Sequence, residues 1–211
     1  MQSIELIEIH PKHSRAIRWF HWVHFPLLTL LIYSGILIYW ANDSYIPIPD
    51  WLAKSLHLNF RLANGLAWHF FLMWLFTLNG VAYFIYLAVT GEWKDLFPNR
   101  ESFREAIQVA MHDLRLRKSA PPVTGKFNGA QRIAYTSIIF AGFGSVLTGI
   151  AIYKPVQVGW LTRLLGGYEA ARLEHFILMV IFVLFFFVHI AQVIRAGWNP
   201  FRAMITGYEA S

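Results

Sequence analysis

The sequence predicts an all-α membrane protein, a single domain over residues 1–211 built as a bundle of four transmembrane helices. The composition is 56% hydrophobic and only 14% charged, whereas a soluble domain averages about 25% charged residues. Four runs of the chain contain no Asp, Glu, Lys or Arg. Each run is long enough to cross a bilayer, which needs roughly 20 apolar residues. The Lys and Arg residues are also distributed unevenly among the segments that connect these runs.

The four charge-free runs cover residues 19–42, 62–91, 133–153 and 175–194. They predict membrane spans at about 17–41, 65–90, 131–153 and 172–195. Most of the Lys and Arg side chains lie in segments on the side of the N-terminus, and only a minority lie on the opposite side. Cytoplasmic segments carry such an excess of positive residues, so both termini are expected in the cytoplasm. Topology thereby explains the basic charge, and no nucleic-acid partner is expected.

A short amphipathic helix is expected in the long cytoplasmic segment between the second and third spans. Ser102 and Glu105 have the spacing of a capping box, in which each side chain caps the backbone N–H of the other. The apolar residues Phe103, Ile107 and Met111 follow at helical spacing, with charged residues between them. Such a helix either lies on the membrane lipid or packs against a partner or the end of the bundle.

Histidines are the residues of this sequence that point most directly to chemistry. Five of the nine lie within or at the edge of the spans: His21, His24, His69, His175 and His189. Ionisable residues in a membrane are energetically costly and mark functional sites. Along the fourth span, the spacing from 175 to 189 corresponds to about 21 Å and falls about 40° short of whole turns. These two histidines therefore face the same way, near opposite membrane surfaces.

Topology supplies a partner for each histidine of the fourth span. His69 lies at the outer start of the second span, at the level of His175. His21 and His24 lie at the inner start of the first span, at the level of His189. His21 and His24 are about 60° apart around the helix, so depth does not choose between them. The sequence therefore predicts one pair of histidines at each side of the bundle.

Paired histidines in an apolar bundle without cysteine are typical of b-type haem. The absence of Cys excludes thiolate-held iron–sulfur clusters and c-type haem attachment, and zinc sites need three or four protein ligands. Two segments also repeat: Ser34-Gly35-Ile36 ends the first span and Thr148-Gly149-Ile150 ends the third. Gly35 and Gly149 are expected either to let helices pack closely or to let a flat haem approach the backbone.

The chain resembles the bacterial di-haem cytochrome b subunits of membrane-bound redox complexes. This cytochrome b561 group includes the formate dehydrogenase gamma subunit and the nickel–iron hydrogenase cytochrome b. The resemblance covers nearly the whole chain and rests on these residues and motifs: Arg18-x-x-His21-Trp22, His69, Lys126-Phe127-Asn128-Gly129-Ala130-Gln131, Thr148-Gly149, Lys154-Pro155, His175 and His189. The C-terminal segment 197–209 is similar to cytochromes b that accompany molybdopterin enzymes of the sulfite-oxidase type or thiosulfate reductases.

The resemblance implies two haem b groups with four axial ligands. The implied pairs are His21–His189 for the inner haem and His69–His175 for the outer haem. A quinone is implied beside the inner haem, and the residues assigned to it are Asn128, Gln131 and His24. Haem propionates need cations, for which the candidates are Arg18, Arg132 and Arg172.

The resulting hypothesis is a multi-pass protein of the bacterial cytoplasmic membrane that exchanges electrons between the quinone pool and a periplasmic redox partner. The partner is expected to be an oxidoreductase subunit, such as a molybdopterin enzyme or a hydrogenase, in which the substrate reacts. One alternative is a stand-alone cytochrome b561-type oxidoreductase that passes electrons from superoxide to quinone. Another is a haem-free membrane transporter, against which the lack of carboxylates within the spans counts.

Overall fold

Four long helices dominate the computed structural model, which describes residues 9–41, 49–58, 61–119 and 125–210. All four are long and apolar enough to cross a membrane: α1 (Arg15–Trp40), α3 (Leu62–Thr90), α6 (Gly129–Tyr153) and α8 (Tyr168–Ala196). The shorter elements are β1 (Ile9–Pro11), α2 (Asp50–Ser55), α4 (Trp93–Leu96), α5 (Arg100–Asp113), α7 (Gly159–Leu164), α9 (Trp198–Thr206) and β2 (Tyr208–Ala210). The predicted all-α membrane protein with four spanning helices is confirmed.

The long helices begin two to four residues before the predicted starts of the spans. For α1 and α6 the cause is a polar N-cap that lies beyond the charge-free run. The Ser14 hydroxyl accepts a hydrogen bond from the Ile17 N–H at 3.2 Å. Asn128 caps α6 in a reciprocal capping box with Gln131. Such caps satisfy backbone N–H groups that the first helical turn leaves without a partner inside the helix.

The chain forms two compact units, the first made of residues 1–84 and 190–211 and the second of residues 85–189. In the first unit, α1 and α3 approach closely at Gly65. A Cβ atom at this position would lie 2.9 Å from the Leu37 Cβ and 3.1 Å from the Ser34 carbonyl oxygen. Leu37 is also buried together with Ala53 of α2, so the short helix α2 covers the end of α1.

The two ends of the chain meet in the first unit, where β1 and β2 form a two-stranded antiparallel sheet. Lys12 forms a salt bridge with Glu209 at 2.5 Å. The Trp22 indole N–H donates to the Met204 carbonyl at 3.0 Å, which ties α1 to α9. The sequence before α1 predicts no more than a cytoplasmic tail. Pairing between opposite ends of the chain has no local sequence signal, which is why that prediction misses the sheet.

In the second unit, α4 and α5 pack against the start of α6. The Thr136 hydroxyl donates to the Leu96 carbonyl of α4 at 3.0 Å. Gly129 faces α5 so closely that a Cβ atom there would collide with the Ser102 carbonyl oxygen. At the other end of α6, Ala151 packs with Leu161 of α7 and Ala171 of α8, and all three are buried.

The helix α5 begins one turn earlier than its predicted capping box. Asn99 is the N-cap: its Oδ1 accepts from the Ser102 N–H at 2.8 Å, and the Ser102 hydroxyl accepts from the Asn99 N–H at 3.1 Å. The predicted box of Ser102 with Glu105 is therefore wrong, because Asn99 takes the N-cap position and Ser102 becomes its third helical residue. The apolar side chains of Phe103 and Ile107 are exposed on α5.

Candidate functional site

Five histidines lie on the long helices, as predicted. His21 and His24 are the seventh and tenth residues of α1, and His69 is the eighth residue of α3. His175 is the eighth residue of α8, and His189 lies near the end of the same helix. An uninterrupted helix therefore connects the two histidines of α8, and their spacing corresponds to about 21 Å.

His69 is held by the end of α1. The Ser34 hydroxyl oxygen lies 3.0 Å from the His69 Nδ1 atom. Gly35, the next residue, faces the same ring, and a Cβ atom at Gly35 would lie 3.5 Å from its Cε1. Ser34 is buried, so water does not compete for this hydrogen bond. The imidazole of His69 is thus fixed by a hydroxyl on one side and by a glycine along its edge.

His175 is held by the end of α6 in the same manner. The Thr148 hydroxyl oxygen lies 2.8 Å from the His175 Nδ1 atom. A Cβ atom at Gly149 would lie 3.4 Å from the His175 Cε1. Thr148 is buried like its counterpart Ser34. In both units, therefore, the repeated hydroxyl–glycine dipeptide contacts a histidine of the following long helix.

The repeat extends to the positions of these residues within their helices. Ser34 is the twentieth residue of α1 and Thr148 the twentieth of α6, while both contacted histidines are the eighth residues of their helices. A small residue precedes each histidine by four positions, Gly65 in α3 and Ala171 in α8. Small residues let membrane helices approach closely, which brings each hydroxyl within reach of its imidazole.

His24 is engaged differently, by contacts that pack α1 against α3. Its Nδ1 atom lies 3.2 Å from the Phe20 carbonyl oxygen and 2.5 Å from the side-chain amide of Asn79. Its ring also meets the Phe76 ring edge-on, with 5.0 Å between centroids. Asn79 is a residue that sequence reasoning missed. The signal was available, because an amide in the middle of a long charge-free run is costly unless it has a partner.

The remaining two predicted ligands have aromatic neighbours on their own helices. The His21 ring packs edge-on against the Trp22 ring at a centroid distance of 5.2 Å. The His189 ring is stacked on the Phe185 ring at 5.8 Å, with an interplanar angle of 9°. These contacts restrict the rings of both histidines without using a charged group.

Each candidate propionate cation has a protein partner. Arg18 donates to the Ile205 carbonyl and Arg132 to the Phe97 carbonyl, the latter at 3.5 Å. Arg172 instead pairs with the Glu169 carboxylate at 2.9 Å. A carbonyl does not neutralise a guanidinium, whereas a carboxylate does, so Arg172 is the least suited of the three to bind a propionate.

Asn128 and Gln131, the predicted quinone residues, form the capping box of α6. The Asn128 Oδ1 accepts from the Gln131 N–H at 2.9 Å, and the Gln131 Oε1 accepts from the Asn128 N–H at 3.0 Å. Both bonds use amide oxygens as acceptors. The side-chain NH2 groups of both residues are not needed for capping, and they are the groups that a quinone carbonyl would accept from.

Haem fits the donor set better than a metal ion bound by protein alone. Within the described ranges, no three residues among His, Cys, Asp and Glu come together as a metal cluster, whereas zinc takes three or four protein ligands. Haem iron takes four nitrogens from the porphyrin and needs only axial ligands from the chain. The glycines beside His69 and His175 also provide the open backbone that a flat ring requires.

Comparison with known proteins agrees with this assignment. The family model described as prokaryotic cytochrome b561 matches residues 12–207. A protein of Azospira oryzae, provisionally named as the protein-methionine-sulfoxide reductase subunit YedZ1, is 35% identical over 207 residues, which cover 98% of this chain and all of that relative. The chain therefore belongs to the prokaryotic cytochrome b561 family, whose members are multi-pass proteins of the bacterial inner membrane that bind haem and transfer electrons.

Proposed function

We propose that this protein is a di-haem b subunit that carries electrons across the membrane between the quinone pool and a periplasmic oxidoreductase. The observation that supports it most strongly is the repeated hydroxyl–glycine–histidine arrangement, found once in each unit. Two histidines held in the same way would supply both ligands of one haem, and the family resemblance supplies the second pair, His21 and His189. Bound haem supplies one-electron redox chemistry, while the chain sets its ligands and its environment.

The axial ligands are assigned in two pairs. His69 and His175 bind the outer haem, and each is oriented by a hydroxyl and a glycine. His21 and His189 bind the inner haem, about 21 Å of helix away along α8. His24 is left out of the ligand set because the family resemblance assigns His21, and the contacts of His24 with Asn79 and Phe76 pack α1 against α3.

The quinone is assigned to the inner haem, beside the N-terminus of α6. The amide NH2 groups of Asn128 and Gln131 are donors there, and both quinone carbonyls are acceptors. Arg18 and Arg132 are the cations proposed for the propionates, since their protein partners are neutral carbonyls. Both termini are placed in the cytoplasm, following the excess of Lys and Arg on that side.

The partner is proposed to be an enzyme that reduces methionine sulfoxide in proteins, because the relative from Azospira oryzae carries that name. Reduction of one sulfoxide to a thioether consumes two electrons and two protons and releases one water. This chain would deliver the electrons one at a time and leave the oxygen-atom chemistry to the partner.

The proposed function is tested in membranes from the source organism with and without this chain. Anaerobic membranes are given a quinol and a peptide that contains methionine sulfoxide, and the reduced peptide is quantified by mass spectrometry. We expect quinol-dependent reduction that is lost when the chain is deleted and restored by the wild-type gene. Reduction at the same rate in membranes that lack the chain would contradict the proposal.

A second experiment, on the purified chain without any partner, distinguishes the proposed function from the stand-alone oxidoreductase. A superoxide source and a quinone are supplied, and quinol formation is followed optically. The partner-dependent account predicts no quinol above the protein-free background. Steady catalytic formation of quinol by the isolated chain would instead support a superoxide-to-quinone oxidoreductase.

A further inference from the structure

The single proton of the Ser34 hydroxyl is used in a hydrogen bond to the backbone. It donates to the Leu31 carbonyl oxygen at 3.0 Å, and a carbonyl can only accept. The same hydroxyl oxygen lies 3.0 Å from the His69 Nδ1 atom. Since the hydroxyl proton points elsewhere, the oxygen offers a lone pair to the ring. The Nδ1 atom of His69 is therefore the donor and carries the hydrogen.

The hydroxyl of Thr148 is committed in the same way. It donates to the Gly144 carbonyl oxygen at 2.8 Å and lies 2.8 Å from the His175 Nδ1 atom. The Nδ1 atom of His175 is then also protonated. A neutral imidazole with hydrogen on Nδ1 has its lone pair on Nε2, and this is the form that binds a metal through Nε2.

We propose that Ser34 and Thr148 are positioning residues that fix the Nδ1–H tautomer of His69 and His175 and set the redox potential of the haem that these two histidines share. The inference rests on the proposed di-haem function and adds to it a pair of residues that touch neither haem iron nor quinone. A hydrogen bond from the nitrogen that does not bind the metal fixes the tautomer and ring orientation of a histidine ligand and raises its basicity.

The direction of the effect follows from ligand basicity. An Nδ1–H that donates to an oxygen places more electron density on Nε2, which stabilises ferric iron more than ferrous iron. Removal of the acceptor should therefore make the haem easier to reduce. Because each hydroxyl serves one of the two ligands of the same iron, both removals should act on the same haem and in the same direction.

The test uses the detergent-purified holoprotein with the variants Ser34→Ala, Thr148→Val and their combination. The outer haem is first identified in the wild-type titration as the haem whose signal is missing from the His69→Ala variant. Thr29→Ala is the matched control, since the Thr29 hydroxyl also lies in α1 and donates to the Phe25 carbonyl at 2.8 Å. Spectroelectrochemical titration gives the midpoint potential of each haem, and low-spin EPR of the oxidised protein reports the axial ligand field.

Each single variant should raise the ratio of reduced to oxidised outer haem by about tenfold at a fixed potential, the lower end of the effects that partners of metal ligands have on metal sites. Tenfold corresponds to about 59 mV for a one-electron couple. The double variant should shift further, Thr148→Ser should restore the wild-type value, and Thr29→Ala should leave both haems unchanged. The EPR signal of the outer haem alone should move with the potential.

Two outcomes would overturn the inference and leave electron transfer through two haems standing, although the second would change the proposed ligand pairs. With two haems in the wild type, unchanged potentials and EPR signals in both single variants would show that the hydroxyls do not tune the ligands. Shifts on two different haems would show that His69 and His175 do not share an iron. A wild-type protein that binds no haem would instead remove the proposed function itself.

Discussion

The helix pair α1–α3 and the helix pair α6–α8 carry the same four-part arrangement in different surroundings. Both have a buried hydroxyl, a following glycine, a histidine at the eighth position of the next long helix, and a small residue four positions before it. The residues around the arrangement differ. The first pair contains the polar contact of His24 with Asn79, whereas the second has α5 packed against the start of α6.

This difference separates what a cofactor requires from what each helix pair needs to fold. The repeated positions are the ones that orient an imidazole and keep the backbone open beside it. The unique positions join neighbouring helices or the chain ends, and they vary because packing has many solutions. Variants of the histidine ligands and of the repeated hydroxyls should therefore change the haem, whereas variants at close helix contacts, such as Gly65 and the His24–Asn79 pair, should change stability.

Replacing the histidines should have the largest effect and tests which two belong together. We expect every single change to Ala at His21, His69, His175 or His189 to remove one of two haems, because one axial ligand is lost. The double variant His69→Ala/His175→Ala should still hold one haem, whereas His69→Ala/His189→Ala should hold none. Haem per polypeptide is measured by pyridine haemochrome; one haem in the second double variant would show that the pairs are wrongly assigned.

Adding a methyl group at Gly65 should have the next largest effect, which is a loss of stability. The change compares the two helix pairs at the position where they differ. Its counterpart Ala171 already carries a Cβ, but at Gly65 that atom would lie 2.9 Å from the Leu37 Cβ. Overpacking typically costs about 1–3 kcal/mol, so Gly65→Ala should lower the unfolding temperature in detergent. Gly80→Ala in the same helix is the control, since beyond the adjacent helix backbone nothing lies within 4 Å of its added Cβ. Equal melting of the two variants would contradict the close approach.

A conservative change can separate the two roles of Gln131, which are to cap α6 and to donate to the quinone. Gln131→Glu keeps an oxygen that caps α6, because Glu and Gln both serve at this position of a capping box, but it removes the NH2 donor. Stability should stay unchanged while the KM for quinol rises roughly 2- to 10-fold, the value of about one hydrogen bond. Gln131→Ala, which also loses the cap, is the control. An unchanged KM in Gln131→Glu would remove Gln131 from the quinone site.

Changing His24 should have the smallest effect, although His24 lies only three residues from a proposed ligand. His24→Gln should keep two haems and lose only its polar contact with Asn79, worth about 0.6 kcal/mol on average between membrane helices. His21→Gln should lose the inner haem. Haem content and thermal unfolding are measured on both variants side by side. Loss of a haem from His24→Gln but not from His21→Gln would exchange the two assignments.

Sequence reasoning reached the helices and the histidines because these depend on local patterns. Charge-free runs predict spans, and the spacing of His175 and His189 predicts a common helix face. It missed the contacts of Ser34 and Thr148 with His69 and His175, since a hydroxyl in a membrane helix bonds its own backbone in any case, and only the neighbouring helix reveals the second bond. The contact of His24 with Asn79 was missed for the same reason, because it joins residues that are far apart in the sequence.

The most direct test of the central claim is the haem content of the wild-type protein, purified in detergent from haem-sufficient cells. Pyridine haemochrome and a quantitative protein assay give haem b per polypeptide, and a reduced-minus-oxidised spectrum verifies the haem type. The two helix pairs with their four histidine ligands predict two haem b per chain. One haem per chain would contradict the account by showing that one pair of histidines does not bind iron, and none would remove electron transfer from this protein altogether.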